Sequence, residues 1–168
     1  MSTTLSEIML RANTALFAQK VVQTILDMTG CGFEIVAKSL QKGYYASGGS
    51  FAVFMHFAGR VQGDFIVTTE YGIAQKLTEQ GGLVIETPEK AKELVSAFFE
   101  EILNIASGHT LTELEKKYGG LTLVPPYVVF GELVTPEVLS GNVDISGSAG
   151  ALRCTLSLNL ASLRTFES

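Results

Sequence analysis

Residues 151–160 (ALRCTLSLNL) alternate between apolar and polar side chains along nearly their whole length. A period of two places successive side chains on opposite faces of a β-strand, so the leucines and the cysteine share one face. The other face carries Arg153, Thr155, Ser157 and Asn159. The segment therefore predicts a strand of a mainly antiparallel sheet that has one buried face and one wetter face.

Further runs of apolar and β-favouring residues occur along the chain, separated by turns rich in glycine or proline. These predicted strands cover residues 33–37, 51–58, 65–69, 121–124, 127–130 and 143–149. The glycines and serines of residues 44–50 indicate a turn region, and Gly141 with Asn142 indicates another turn. The chain thus contains enough strands to form one sheet.

Two long segments carry apolar residues at helical spacing. The first covers residues 5–28, with Ser6 as its expected N-cap. The second covers residues 89–107, after Thr87 as cap and Pro88 at the first helical position. Both segments are long enough to cross a whole sheet, so they are expected to form its helical layer.

Two shorter helices are expected beside these. One covers residues 71–79, and the other covers residues 111–118. Gly108 is expected to bend or interrupt the second long helix before the latter segment, because glycine weakens a helix interior.

The pattern as a whole predicts an α/β (α+β) fold. It is a two-layer sandwich in which both long helices pack on one face of a mainly antiparallel sheet. The two halves share an order of long helix and then strands, and the segments starting at Gly63 and Gly150 occupy matching places. A degenerate, pseudo-duplicated architecture follows from this match. Because no linker or low-complexity tract interrupts the chain, we expect one domain over residues 1–168.

Composition narrows the classes of partner. Hydrophobic residues make up 46% of the 168 residues, which is high for a soluble monomer and favours a homodimer. The net charge is −5 and lysines and arginines do not cluster, which argues against nucleic acid and membrane surfaces as partners. No apolar run approaches the roughly 18 residues that span a bilayer, and no secretory signal pattern is seen at the start.

Cysteine usage bears on the compartment. Cys31 and Cys154 lie far apart and form no CxxC pair. They are interpreted as reduced packing residues of a cytoplasmic protein, although the sequence alone also permits a disulfide between them.

The residues that stand out chemically are Glu101 and Asn104. They lie three positions apart in an apolar helical segment whose stripe includes Ile105, so a helix presents them side by side. Ala97 and Gly108 lie above and below them on the same face. Asparagine is a mediocre helix former, and helix stability gives no reason for it here.

Other catalytic patterns are absent from the sequence. His56 is interpreted as a half-buried strand residue and His109 as a surface residue, and no set of histidines and cysteines has the spacing of a zinc site. Neither a G-x-S-x-G motif nor a P-loop is present, so acyl transfer and nucleotide binding lack support. From spacing alone, Glu101 and Asn104 are most simply part of a solvated helix face.

The residues around Glu101 and Asn104 favour a functional site over a merely solvated helix face. Glu-x-x-Asn at residues 101–104, a following small step ending at Gly108, and Pro126 about twenty-two positions after Asn104 together resemble the CheX branch of the CheC/CheX/FliY chemotaxis phosphatases. Residues 57–67, followed by the helix at 71–79, are similar to the first half of that family. One position departs from the family pattern: Ala97 occupies a place where members often carry serine or aspartate.

This resemblance implies a phosphatase that acts on the aspartyl phosphate of a phosphorylated CheY-type response regulator in chemotaxis or two-component signalling. Asn104 would orient the attacking water, as a side-chain amide does in small GTPases, and Glu101 would pair with a lysine of the regulator. No cofactor or metal is implied on this chain, because Mg²⁺ is expected on the regulator.

Two alternatives remain open from the sequence. The first is a non-catalytic module of the same fold that docks a receiver domain, such as a flagellar-switch scaffold, and Ala97 is its best support. The second is a small-molecule binder that uses residues 44–50, which predicts an apolar cleft near Tyr44 and Tyr45.

Overall fold

A computed structural model describes residues 4–168, which form helices and strands in an α/β arrangement. The helices are α1 (Leu5–Thr29), α2 (Tyr71–Gln80), α3 (Pro88–Tyr118) and α4 (Leu160–Glu167). The strands are β1 (Phe33–Ala46), β2 (Phe51–Gly59), β3 (Gly63–Thr69), β4 (Leu121–Leu123), β5 (Tyr127–Val129), β6 (Val134–Gly147) and β7 (Gly150–Asn159). Among these residues, no helix combines the length and apolarity that crossing a membrane requires.

All strand pairs of the sheet are antiparallel, as predicted. The strand order is β1-β6-β7-β3-β2-β4, and β5 pairs with β2 along the same edge as β4. Residues 151–159 of the alternating segment lie in β7 between β6 and β3, whereas Leu160 begins α4; the apolar side chains from Leu152 to Leu158 are buried under the helices.

The topology supports the predicted duplication. Helix α1 with β1, β2 and β3 makes one unit, and α3 with β4/β5, β6 and β7 makes the other. Exchanging the two units leaves the strand order unchanged, with β3 and β7 as the central pair. The strands of the two units alternate at one side of the sheet, because β1 of the first unit pairs with β6 of the second. The core is therefore shared between the halves.

Both long helices lie on one face of the sheet, which confirms the two-layer prediction. Helix α1 covers β6 and β7, α3 covers β2 and β3, and the helices pack against each other. Phe17 of α1 meets Phe65 of β3 with ring centroids 5.1 Å apart, and Phe99 of α3 meets Phe51 of β2 at 5.0 Å. These fully buried aromatic contacts fix both helices over the centre of the sheet.

The outer face of the sheet, opposite the helices, is more buried than the alternation in β7 predicted. Thr155 and Ser157 are almost completely buried. The end of β1 curls over this face, so that the Tyr45 hydroxyl lies 3.3 Å from the Thr155 hydroxyl. The prediction of a solvated second face was therefore wrong at the centre of the sheet.

Three local predictions were also wrong. The cap of α1 is Thr4, which exchanges hydrogen bonds with Glu7 in a capping box, whereas Ser6 is buried against Glu167. Gly108 does not interrupt α3, which is continuous for 31 residues. Gly141 lies in the middle of β6, where a side chain would overlap Thr14 of α1, so this glycine permits close helix packing.

One strand and one helix differ from expectation as well. Strand β1 extends to Ala46, so only the last part of the predicted 44–50 turn region is a turn. The C-terminal helix α4 was not predicted; Asn159 caps it by accepting a hydrogen bond from the Ser162 backbone at 3.0 Å.

Candidate functional site

Helix α3 begins and ends at recognisable signals. The Thr87 hydroxyl accepts a hydrogen bond from the Lys90 amide at 3.2 Å, and Pro88 occupies the first turn, as the sequence predicted. The helix ends before Gly119, which has a φ of 82°. These signals place the Glu101–Asn104 turn near the middle of the helix, away from its frayed ends.

Packing orients the helix about its axis. Its buried stripe includes Val95, Phe99, Ile102, Leu103 and Ala106, all without solvent exposure. Because these residues face the sheet and α1, the opposite side of the same turns must face solvent.

Glu101 and Asn104 lie on that solvent-facing side, and both are exposed. Their β-carbons are about 5–6 Å apart by helix geometry. Within residues 4–168, neither side chain has a hydrogen-bond partner. The structure thus brings the predicted pair together and leaves the carboxylate and the carboxamide free to meet a partner.

Two small residues and one apolar residue neighbour the pair on the open face. Ala97 and Gly108 are both exposed, as predicted. Ile105 is not in the core stripe to which the sequence pattern assigned it, because 39% of it is exposed beside the pair. Amphipathic spacing alone did not reveal this exposure, since Ile105 adjoins the true stripe in sequence.

Pro126 lies in the connection between β4 and β5. Both strands pair with β2, and both contact α3, so the proline loop joins two strands that pack against the helix carrying Glu101 and Asn104. Pro126 is half-buried and Pro125 is exposed. The fold therefore explains why a proline about twenty-two residues beyond Asn104 can belong to the same region of the surface.

The site is convex. Neither Glu101 nor Asn104 lines any of the four main cavities of the described chain. The largest of these, about 440 Å³, lies between α1 and strands β1 and β6. Small-molecule sites are typically concave, so a polar pair on a ridge suits a protein partner that supplies its own pocket.

His56 and His109 lie outside this pair. His56 is half-buried on β2, and its Nδ1 lies 3.2 Å from Oδ1 of Asp64 on β3. Burial raises the pKa of Asp64, and the nearby His56 partly opposes that rise. This pair lies on the outer face of the sheet, opposite the helices, because Phe57 beside His56 faces the core. His109 is an exposed residue of α3.

The cysteines and acidic residues form no metal site in the described part of the chain, where no cluster of three potential ligands occurs. Cys31 and Cys154 are both free thiols, so the disulfide that the sequence permitted is not formed. Complete burial raises the pKa of Cys154 far above its ordinary value, which leaves this thiol unreactive.

The small-molecule alternative finds no matching cleft at the tyrosines. Tyr45 is buried against Ile66 and Val138, and Tyr44 is exposed on the strand. The cavity next to the following loop, about 290 Å³, is lined by apolar residues such as Ile73 and Leu152 as well as by hydroxyls and the Asp144–Arg153 ion pair. Neither Tyr44 nor Tyr45 lines this cavity, whereas the alternative required a cleft at these two residues.

Comparison with known proteins adds an independent observation. The sequence profile of the family described as "Chemotaxis phosphatase CheX" matches residues 51–146, more than half of the chain. The matched stretch contains Glu101, Asn104 and Pro126. No curated protein matches the sequence.

Solved structures share the fold. A chemotaxis protein CheX from Desulfovibrio desulfuricans is 14% identical, with a TM-score of 0.73 over 88% of this chain and 99% of that chain. CheX in a CheX–CheY–BeF3–Mg²⁺ complex from Borrelia burgdorferi is 20% identical, with a TM-score of 0.73 over 86% and 96%. FliY from Thermotoga maritima is 13% identical, with a TM-score of 0.58 over 99% and 97%.

Proposed function

The chain belongs to the family of chemotaxis phosphatases typified by CheX, and from this membership we propose that it hydrolyses the aspartyl phosphate of a CheY-type response regulator. The observation that carries the proposal is the exposed, unpartnered pair of Glu101 and Asn104 on a convex helix ridge. A projecting helix of this kind can enter the phosphorylation pocket of another protein. A concave active site could not reach into that pocket.

Asn104 is proposed to position the attacking water. Its carbonyl oxygen accepts a hydrogen bond from the water and its NH₂ group donates to a phosphoryl oxygen. An amide is neutral, so it approaches the phosphoryl group without the repulsion that a carboxylate would meet. Aspartyl phosphate is already a reactive acyl phosphate, so placing the water in line with phosphorus supplies most of the missing catalysis.

Glu101 is proposed to pair with a lysine of the regulator. The carboxylate stands one helical step from Asn104 and has no partner within the described chain, so its charge is available to the docking protein. An ion pair at a desolvated interface contributes more than an exposed one, and it would fix the register of the helix in the pocket. Mg²⁺ in this scheme is held by the regulator and needs no ligand from this chain.

The test is the decay of the phosphorylated regulator. Purified CheY-type receiver domains carrying radiolabelled aspartyl phosphate are incubated with this protein, and release of phosphate is followed over time. We expect a catalytic amount of protein to shorten the phosphate lifetime of at least one receiver. A lifetime that is unchanged for every receiver, at protein concentrations above that of the substrate, would refute the phosphatase proposal.

The decay experiment, combined with a measurement of receiver binding, also tests the alternative of a non-catalytic docking scaffold. Ala97 is the observation that favours the scaffold, since it lacks the polar group that family members often carry there. A scaffold binds a receiver activated by beryllofluoride, which imitates the phosphoryl group, yet leaves the lifetime of the true phosphate unaltered.

A homodimer is part of the proposal, and strand β1 is its proposed interface. This 14-residue edge strand pairs with β6 on one side and has no partner on the other within the described chain. Val36 and Tyr44 on it are 62% and 67% exposed. Long edge strands with exposed apolar residues readily pair with another chain. Sedimentation of wild type against Val36→Lys tests this, with a dimer expected only for the former.

The cytoplasm is the proposed compartment. Both cysteines are free, which fits a reducing environment, and the proposed substrate is a signalling protein that is phosphorylated with Mg²⁺ bound. Fractionation of cells that produce the tagged protein would test this directly.

A further inference from the structure

For two residues on the solvent-facing side of α3, the fold of the chain does not account for the type of residue. Gly108 is an exposed glycine in the interior of a 31-residue helix, and Ile105 is a β-branched apolar residue with 39% exposure. Gly108 lies one helical turn after Asn104, and Ile105 directly follows Asn104 in sequence. Neither is explained by the fold of the isolated chain.

Gly108 meets none of the usual demands for glycine. Its backbone is helical with no positive φ, and a β-carbon added there would meet no heavy atom within 4 Å. An alanine side chain would therefore fit the folded chain, and alanine would make a better helix. What a side chain would occupy is the space over the preceding turn, because β-carbons of a helix point toward its N-terminus, and that turn carries Asn104.

Ile105 presents the complementary case. The other exposed residues in this part of α3 are small or polar, whereas the isoleucine places a large apolar surface in water beside Glu101 and Asn104. A β-branched residue also forms helix less readily than leucine or lysine would at a solvent position. Contact with a partner would remove this surface from water.

We propose that Gly108 and Ile105 complete the regulator-docking surface of α3 that the proposed function places at Glu101 and Asn104, with Gly108 as the point of closest approach and Ile105 as the apolar anchor. This inference rests on the proposed function for the identity of the partner. It adds two positioning residues, neither of which touches the reacting atoms: Gly108 lets the regulator surface come close enough for Asn104 to reach the phosphoryl group, and Ile105 contributes binding.

The first experiment is a graded series at position 108. Gly108→Ala and Gly108→Leu should both raise the Tm, because each forms helix better than glycine, and the position is exposed with no heavy atom near its β-carbon. Affinity for a purified CheY-type receiver activated by beryllofluoride and Mg²⁺ should fall with side-chain size, by about tenfold or more for leucine. Gly72→Ala and Gly72→Leu are matched controls, since Gly72 is an exposed helical glycine of α2 with equally open space.

The second experiment replaces the anchor. Ile105→Gln should raise KM for the phosphorylated receiver by about tenfold and leave kcat within about twofold, because the lost contact is the same in the ground state and the transition state. Leu26→Gln is the matched control, as Leu26 is a helix residue of α1 with 41% exposure. Its KM should equal that of wild type.

The outcomes separate this inference from the phosphatase proposal. Wild type that binds the activated receiver without shortening the phosphate lifetime refutes the phosphatase, while loss of binding in the position 108 series still supports the docking surface. Wild type that binds and hydrolyses, with Gly108→Leu and Ile105→Gln indistinguishable from it, refutes the docking surface alone. Failure of wild type to bind any receiver refutes both.

Discussion

Replacing Asn104 with alanine should make the protein more stable and much less active. The side chain is exposed and makes no hydrogen bond within the described chain, so its removal breaks no contact. Alanine is favoured over asparagine inside a helix by roughly 0.6 kcal/mol. In a chain of 168 residues this corresponds to a rise in Tm of about 1–3 °C.

The loss of activity should be far larger than that gain. If the amide positions the hydrolytic water, its removal leaves a methyl group that can neither accept from the water nor donate to the phosphoryl group. Losing one well-placed polar group in a transition state costs about 10²-fold in rate, or roughly 2.7 kcal/mol. Binding should change little, because docking depends on Glu101 and on the remainder of the α3 face.

Three measurements on the same preparation check this reasoning: the thermal midpoint, the affinity for a receiver activated by beryllofluoride, and the single-turnover rate of dephosphorylation at saturating protein. Gln19→Ala is the control, since Gln19 is an exposed carboxamide on α1. A single-turnover rate for Asn104→Ala within a few-fold of wild type would show that the amide is not catalytic. A lowered Tm would show instead that the residue has a structural role.

Three further predictions concern other positions. Glu101→Ala should raise KM for the phosphorylated receiver and lower kcat together, because the charge fixes the docked geometry; Glu93→Ala on the same helix should do neither, and steady-state kinetics distinguish them. Asp64→Asn should be more stable than wild type at pH 7 by urea unfolding: burial raises the pKa of Asp64 in the folded state, so the ionised carboxylate costs stability at neutral pH. That difference should disappear as the pH falls below the ordinary value of 3.8, and a variant less stable at pH 7 would contradict it. Gly141→Ala should cost about 1–3 kcal/mol of unfolding free energy, because the new β-carbon would lie 3.0 Å from the Thr14 β-carbon and closer still to its hydroxyl. Thr14→Ala should recover part of that loss, and purely additive losses in urea unfolding would argue against the clash.

Much of the fold could be predicted because its signals are local. The alternation in residues 151–160 requires only that a strand place successive side chains on opposite faces, and the structure has β7 there. The start of α3 at Thr87 and Pro88 depends on which backbone groups lack partners in the first turn, and those are the same in every helix. Signals of this kind lie within a few residues of the feature that they determine.

Gly108 and Gly141 show where local signals failed. Glycine weakens a helix by about 1 kcal/mol relative to alanine, which favours a break at Gly108 when only neighbours in sequence are considered. The helix continues because buried residues on both sides of it, Ala106 and Leu114 among them, pack against the rest of the protein. Gly141 resembles a turn for the same local reason, yet its lack of a side chain serves the approach of α1 to β6.

The candidate site likewise has one feature set by the local sequence and others set by tertiary packing. The side-by-side placement of Glu101 and Asn104 follows from their spacing in any α-helix, whatever surrounds it. Which side of that helix faces solvent was decided only when α3 packed on the sheet, since the sequence pattern had also assigned Ile105 to the apolar stripe. Ile105 came out exposed and Glu101 and Asn104 came out free because burying Phe99, Ile102 and Leu103 removes more apolar area from water than any rotation that would bury Ile105.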